Sequence, residues 1–294
     1  MKFTGVLPAL ITPLNADETV NIKATEKLIA GLLAKEADGF YVGGATGEGI
    51  CLPAEQRKIL AETSVKAADG KKPCIIHVAS INFAEAVELA RHAESVGADA
   101  VSAIPPLFYK YGEDDVYNYY KRLAESVHIP LIVYYNPAAG FAMNARFAAR
   151  MFEIDNITGI KWTSSDYHGM MELKNLTHGE MNIINGPDEM LLMGLAAGAD
   201  AGIGTTYNFM LPLVRGVYDN FKAGNMDKAN EYQRRIAHII SAMRAYPTIP
   251  LTKAMVEAMG YEAGDAVFPF KSLSAEKKAE AVKALTEAGW NINE

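Results

Sequence analysis

Cysteine is scarce in this chain of 294 residues, with Cys51 and Cys74 alone, and neither belongs to a pair with metal-ligand spacing. A disulfide framework has no material to work with, and this usage fits a reducing compartment. The histidines stand at 77, 92, 128, 168, 178 and 238, too scattered for a metal-binding motif. No Gly-x-Ser-x-Gly elbow is present, and no glycine-rich turn is followed by a lysine at the P-loop spacing. Metal, serine-hydrolase and nucleotide chemistries therefore lack support, and no cofactor is expected. There is no apolar run of the roughly eighteen or more residues that a membrane helix needs. The start, Met1-Lys2-Phe3-Thr4-Gly5, shows no signal-peptide pattern. Positive charge is also in deficit, with 28 Lys and Arg against 35 Asp and Glu and a net charge of −7. Nucleic acid is not an expected partner, nor is a membrane, and the cytoplasm is the expected location.

What the chain does have is alternation. Short apolar, β-branched runs at Val6–Pro13, Gly39–Gly44, Cys74–Ala79, Ala100–Ile104, Leu131–Tyr135, Gly159–Thr163, Asn182–Asn185 and Ala201–Thr205 read as strands. Amphipathic segments such as Ala54–Ala68 and Ala84–Val96 lie between them and read as helices. A recurring phrase closes a helix and opens a strand at Glu36-Ala37-Asp38-Gly39, Gly97-Ala98-Asp99-Ala100 and Gly198-Ala199-Asp200-Ala201. Glycine suits the left-handed helix end, and aspartate the turn after it. Eight such units predict an α/β fold, a (β/α)8 TIM barrel, with a doubly wound open sheet as the alternative. From about Leu211 the pattern is purely helical, with segments at Asn225–Ala245, Thr252–Met259 and Ala275–Ala288. This divides the chain into a barrel over residues 1–223 and a C-terminal helical extension of the same domain over 224–294.

Barrel enzymes carry their chemistry at the C-terminal ends of the strands. After the second strand, Gly43-Gly44-Ala45-Thr46-Gly47-Glu48-Gly49 reads either as an anion-binding loop or as a turn that only needs glycine. In the sixth strand, two-residue alternation puts Gly159, Lys161 and Thr163 on one face and Ile160 and Trp162 on the other. Burial disfavours a charged lysine and favours the neutral amine that attacks a carbonyl, while a lysine paired with a carboxylate or reaching solvent is the competing reading. Tyr134 and Tyr135 in the fifth strand are either proton-transfer phenols or core aromatics, and Tyr109 after the fourth is equally open. Asp188 and Glu189 after the seventh strand either bind substrate hydroxyls or cap the following helix.

Taken together, Gly44-Ala45-Thr46-Gly47-Glu48, Tyr134-Tyr135-Asn136-Pro137, Gly159-Ile160-Lys161 and Gly202-Ile203-Gly204-Thr205-Thr206-Tyr207-Asn208 resemble the N-acetylneuraminate lyase / dihydrodipicolinate synthase family. The likeness runs over essentially the whole chain, from Pro8-Ala9-Leu10-Ile11-Thr12-Pro13 onward. It implies a homotetrameric Schiff-base aldolase acting on a 2-oxo acid, without a metal. Lys161 would form the imine, Tyr134 would transfer protons, and Tyr109 would reach a neighbouring subunit's site. Thr46, with the amides of Ala45 and Thr46, would hold the pyruvate carboxylate.

Within the family, dihydrodipicolinate synthases carry an arginine after the tyrosine-asparagine-proline motif, whereas this chain has Pro137-Ala138-Ala139-Gly140. Asp188-Glu189 and Thr205-Thr206-Tyr207-Asn208 resemble the sialic acid lyases instead. By that likeness Thr163, Gly186, Asp188, Glu189 and Thr205 line a site for a hydroxylated chain, and N-acetylneuraminate is cleaved to N-acetylmannosamine and pyruvate. Two positions depart from the family pattern: Ala45, where a hydroxyl residue is usual, and Tyr135, where asparagine is usual. They leave room for an aldolase or dehydratase of a 2-keto-3-deoxy sugar acid, and for a non-catalytic pyruvate-binding relative.

Overall fold

The computed structural model describes residues 2–292. Its eight strands are β1 (Gly5–Pro8), β2 (Phe40–Val42), β3 (Cys74–His77), β4 (Ala100–Ala103), β5 (Leu131–Tyr135), β6 (Ile157–Trp162), β7 (Asn182–Asn185) and β8 (Ala201–Gly204). All pair in parallel, β2 to β8 each with its sequence neighbours, and β1 with β8. Closure comes just past β1, where Ala9 N–H donates to the Gly204 carbonyl and Leu10 N–H to that of Tyr41. The chain thus grips β8 with one residue and β2 with the next. That explains why the first strand, expected to reach Pro13, ends at Pro8: the residues beyond bridge two neighbours and extend neither ladder. The fold is the expected (β/α)8 barrel.

Eight helices alternate with the strands: α1 (Ile22–Ala34), α2 (Ala54–Ala68), α3 (Phe83–Ser95), α4 (Glu113–Ala124), α5 (Ala145–Met151), α6 (Tyr167–Leu176), α7 (Leu191–Ala196) and α8 (Tyr207–Lys222). The aspartates of the recurring phrase do more than make a turn. Asp38 accepts from Val6 N–H, Asp99 from Cys74 N–H and Asp200 from Ile183 N–H, so each ties the entry of one strand to the start of its neighbour. Strand side chains on both faces are buried, as a parallel sheet under helices requires.

The C-terminal helices α9 (Met226–Met243), α10 (Thr248–Ala258) and α11 (Ala275–Glu287) pack on α8 and on one another. They reach the strand ends at two places. Gln233 accepts from Leu192 N–H and donates to the Asp188 carbonyl, which anchors the turn after β7. Lys253 meets Glu48 in the turn after β2, its Nζ 2.9 Å from Oε1, with 3% and 0% of the two side chains exposed. Glu48 Oε2 also accepts from Val267 N–H, and Lys253 donates to the Asp265 carbonyl.

Candidate active site

Lys161 sits opposite Tyr134 in the β5–β6 ladder, so the register alone brings them side by side. Only 6% of Lys161 is exposed, yet its ammonium has neither ion pair nor hydrogen bond among the described residues. Its Nζ lies 4.0 Å from the centre of the Tyr134 ring and 4.6 Å from that of Tyr41. A carboxylate partner does not describe this lysine, and with 6% of the residue exposed little of it reaches solvent. Tyr135 faces the other way and packs on Trp162, ring centres 4.7 Å apart. Tyr135 is a core aromatic, and Tyr134 is the phenol at the lysine.

The turn after β2 holds Thr46 buried, its hydroxyl 2.7 Å from that of Thr205 beyond β8. The Ala45 and Thr46 amides donate to no acceptor among the described residues, while Glu48 and Gly49 N–H groups close the turn onto Ala45 and Gly44. Two free amides and a hydroxyl at a strand end are suited to a carboxylate. The turn is tight: Glu48 adopts the left-handed conformation at φ 55°, and a side chain at Gly49 would overlap the Gly43 carbonyl.

Beside this cluster opens a cavity of about 670 Å³ whose walls include Thr163, Gly186, Asp188, Glu189, Thr205 and Arg244. Lys161, Tyr134 and Thr46 adjoin it without lining it. Thr163 continues the Lys161 face, its N–H donating to the Tyr135 carbonyl, and Thr205 joins the cavity to Thr46. At Gly186 a β-carbon would overlap the Thr163 hydroxyl, so glycine there keeps that wall open. Glu189 and Arg244 face the cavity with no ion-pair partner among the described residues.

Of the two readings of Asp188, the cap of the following helix is not the one its side chain makes. Its Oδ2 instead accepts from the N–H and the hydroxyl of Thr206, at 2.7 Å each, and so holds the start of α8. Burial raises its pKa to about 6, against the lowering pull of the Thr206 bonds. Tyr109 is not brought to this chain's cavity. It is 69% exposed on the segment after β4, in edge contact with Phe108 and Tyr111.

Two residues of the cluster went unnoticed in the sequence. Tyr41 donates to Ser102 Oγ, and burial raises its pKa well above the ordinary phenol value. His77 packs against both Tyr41 and Tyr134, at 6.3 and 6.1 Å between ring centres. The available signal was their position, polar side chains on strands β2 and β3 near the ends where barrel sites assemble.

An eight-stranded barrel with a buried, unpaired lysine, a phenol and an anion-ready turn at the strand ends defines a barrel enzyme with a lysine at its centre. The chain belongs to the dihydrodipicolinate synthetase family, whose sequence profile matches residues 2–288. It is 35% identical to the N-acetylneuraminate lyase of Rhizobium meliloti over 275 residues, covering 93% of this chain and 91% of that protein. The Proteus mirabilis N-acetylneuraminate lyase superposes with a TM-score of 0.94 at 31% identity, covering 99% of this chain and all of that one. A Ruminococcus gnavus sialic acid aldolase, solved as a catalytic lysine mutant, superposes at 0.92 with 30% identity, covering 97% and 96% of the two chains.

Proposed function

We propose that this enzyme is a Schiff-base aldolase that cleaves N-acetylneuraminate to N-acetylmannosamine and pyruvate. The observation that carries the reading is Lys161, an amine with no partner among the described residues, 4.0 Å from the Tyr134 ring beside a cavity roomy enough for a sugar acid. In the proposed reaction Lys161 Nζ attacks the 2-oxo carbon, and Tyr134 protonates the departing hydroxyl as the imine forms. Tyr134 then takes the proton from the substrate's C4 hydroxyl, and the C3–C4 bond breaks with its electron pair drawn into the iminium. The aldehyde leaves, the resulting enamine is protonated at C3, and water releases pyruvate from Lys161. Thr46 and the amides of Ala45 and Thr46 hold the carboxylate, while Thr163, Glu189 and Thr205, with the free oxygen of Asp188, face the hydroxylated chain. All electrons needed come from the substrate, so the reaction calls for no metal or cofactor.

The resemblance also supports a homotetramer in the cytoplasm. In that assembly the exposed Tyr109 would enter a neighbouring subunit's site.

One observation favours a second reading. Ala45 removes a hydroxyl from the turn, which fits an aldolase or dehydratase acting on a shorter 2-keto-3-deoxy acid. Pyruvate release from N-acetylneuraminate and from a panel of 2-keto-3-deoxy sugar acids tests both. Highest kcat/KM on N-acetylneuraminate supports the proposal, and preference for a shorter acid replaces the substrate. Saturable pyruvate binding with no turnover on any of them leaves only a binding protein.

A further inference from the structure

His77 closes β3 beside Ser102 of β4, buried to 3% exposure. Its ring, the Tyr41 ring and the Tyr134 ring form a three-way cluster, with the Tyr134 plane edge-on to the other two at 81° and 84°. Lys161 Nζ rests on the two tyrosine rings. Neither His77 nitrogen has a hydrogen-bond partner, and both are shut off from solvent. The Gly43 carbonyl, which favours a proton on the ring, stands outside hydrogen-bonding geometry. Behind the strand, Arg57 of α2 donates to the His77 and Ala79 carbonyls at 2.9 Å, which fixes the backbone carrying the ring.

The charges around this ring all act in one direction. Burial first, then Arg57 and Lys161, lower the imidazole pKa to about 3, so the ring is neutral at any working pH. A neutral imidazole always carries one N–H donor and one bare acceptor. Leaving such groups unmet in a protein interior is unfavourable, a cost that a phenylalanine of similar shape would avoid. The Tyr134 hydroxyl is likewise without a partner among the described residues. A buried imidazole with no partner and a phenol with no protein partner among the described residues therefore share one aromatic cluster, beside the amine that must react.

We propose that His77 is a positioning residue for proton transfer, a neutral imidazole that holds the Tyr134 phenol in its working orientation over Lys161. The role rests on the Schiff-base reading above. His77 acts through Tyr134, braces its ring edge-on, and offers it a hydrogen-bonding nitrogen when substrate reorganises the cluster. Imine formation by Lys161 does not depend on it, whereas the proton transfers around bond cleavage do.

The test compares His77→Phe, Tyr134→Phe and the double variant with wild type, by steady-state cleavage, kcat against pH, and borohydride trapping of pyruvate on Lys161. His77→Phe should fold and trap pyruvate normally, because ring volume is kept and Lys161 is untouched. Its kcat should fall by about tenfold or more with KM changed by less than about threefold, and the basic limb of its pH profile should move. The double variant should be no slower than Tyr134→Phe alone, since a residue acting through Tyr134 has nothing left to act on. A wild-type kcat and pH profile in His77→Phe would overturn the role, as would losses that add fully in the double variant. Loss of trapping in a folded His77→Phe protein would move the effect to Lys161 and overturn the assignment. If His77→Phe does not fold, His77→Asn takes its place: slower cleavage with trapping intact is expected, and wild-type kcat overturns the role. Wild-type protein that fails to trap pyruvate defeats the Schiff-base reading itself, whereas normal trapping with an indifferent His77 defeats this inference alone.

Discussion

Replacing Lys253 by methionine keeps the reach of the side chain but removes its charge, leaving the Glu48 carboxylate buried with no cation. Lys253 Nζ and Glu48 Oε1 are 2.9 Å apart, with 3% and 0% of the side chains exposed, so solvent does little to screen the contact. Breaking one side of such a pair typically costs about 3–5 kcal/mol, because the remaining charge stays desolvated. For a chain of this size each kcal/mol moves the melting temperature by about 2–4 °C, so Lys253→Met should melt about 6–20 °C below wild type. The damage should also reach the site. Glu48 holds a left-handed turn at φ 55°, next to the segment that carries Thr46, and its other oxygen anchors Val267 N–H. A loosened turn should raise KM for the 2-oxo acid. Glu48→Gln/Lys253→Met removes both charges and should recover most of the lost melting temperature. The measurements are thermal melts at pH 7 and steady-state kinetics on the three proteins. A Lys253→Met protein melting within about 2 °C of wild type would mean that the pair has no energetic hold on the turn.

Three further outcomes follow from the site. Tyr134→Phe should lower kcat by about 10²–10⁴, the usual range for losing a general acid-base, while Tyr135→Phe should be far milder because that ring packs on Trp162. The opposite ranking in steady-state kinetics would contradict the strand register. Glu189→Ala should raise KM for N-acetylneuraminate and lower kcat/KM by about ten- to a hundredfold, with pyruvate trapping on Lys161 normal. Lower stability with unchanged kcat/KM would instead make Glu189 structural. Burial raises the Asp188 pKa in the folded protein to about 6 from an ordinary 3.8. The stability linked to its neutral form is therefore complete below about pH 4 and lost as pH rises through 6. Asp188→Asn cannot titrate, so its melting temperature minus that of wild type should grow by several degrees between pH 4 and 7.5, and a flat difference would contradict the assignment.

The strand pattern was legible because each barrel strand is a short β-branched run set between amphipathic segments. β5 and β7 fall at the residues the sequence predicts, Leu131–Tyr135 and Asn182–Asn185. The end of β1 was not legible, since it depends on Ala9 and Leu10 bonding to two different strands. Lys161 was legible for a local reason, since alternation sets it on one face of its strand, whereas Tyr134 was separated from Tyr135 only by the family resemblance; the parallel register then aligns the two. The bond from Thr206 to Asp188 was not legible, because Thr206 lies 18 residues on and becomes a neighbour only when β7 and β8 pair. His77 and Tyr41 were missed because β3 and β2 hold four and three residues, too few for alternation to single out an inward polar side chain. The tie between Glu48 and Lys253 joins positions far apart in the chain, and no local pattern announces it.

The proposed chemistry depends on a covalent bond between substrate and Lys161. Pyruvate with borohydride should reduce an imine on Lys161, locatable by peptide mapping, and Lys161→Arg should lose both adduct and cleavage because a guanidinium stays protonated. An adduct on any other lysine, or cleavage that persists in Lys161→Arg, would contradict the account.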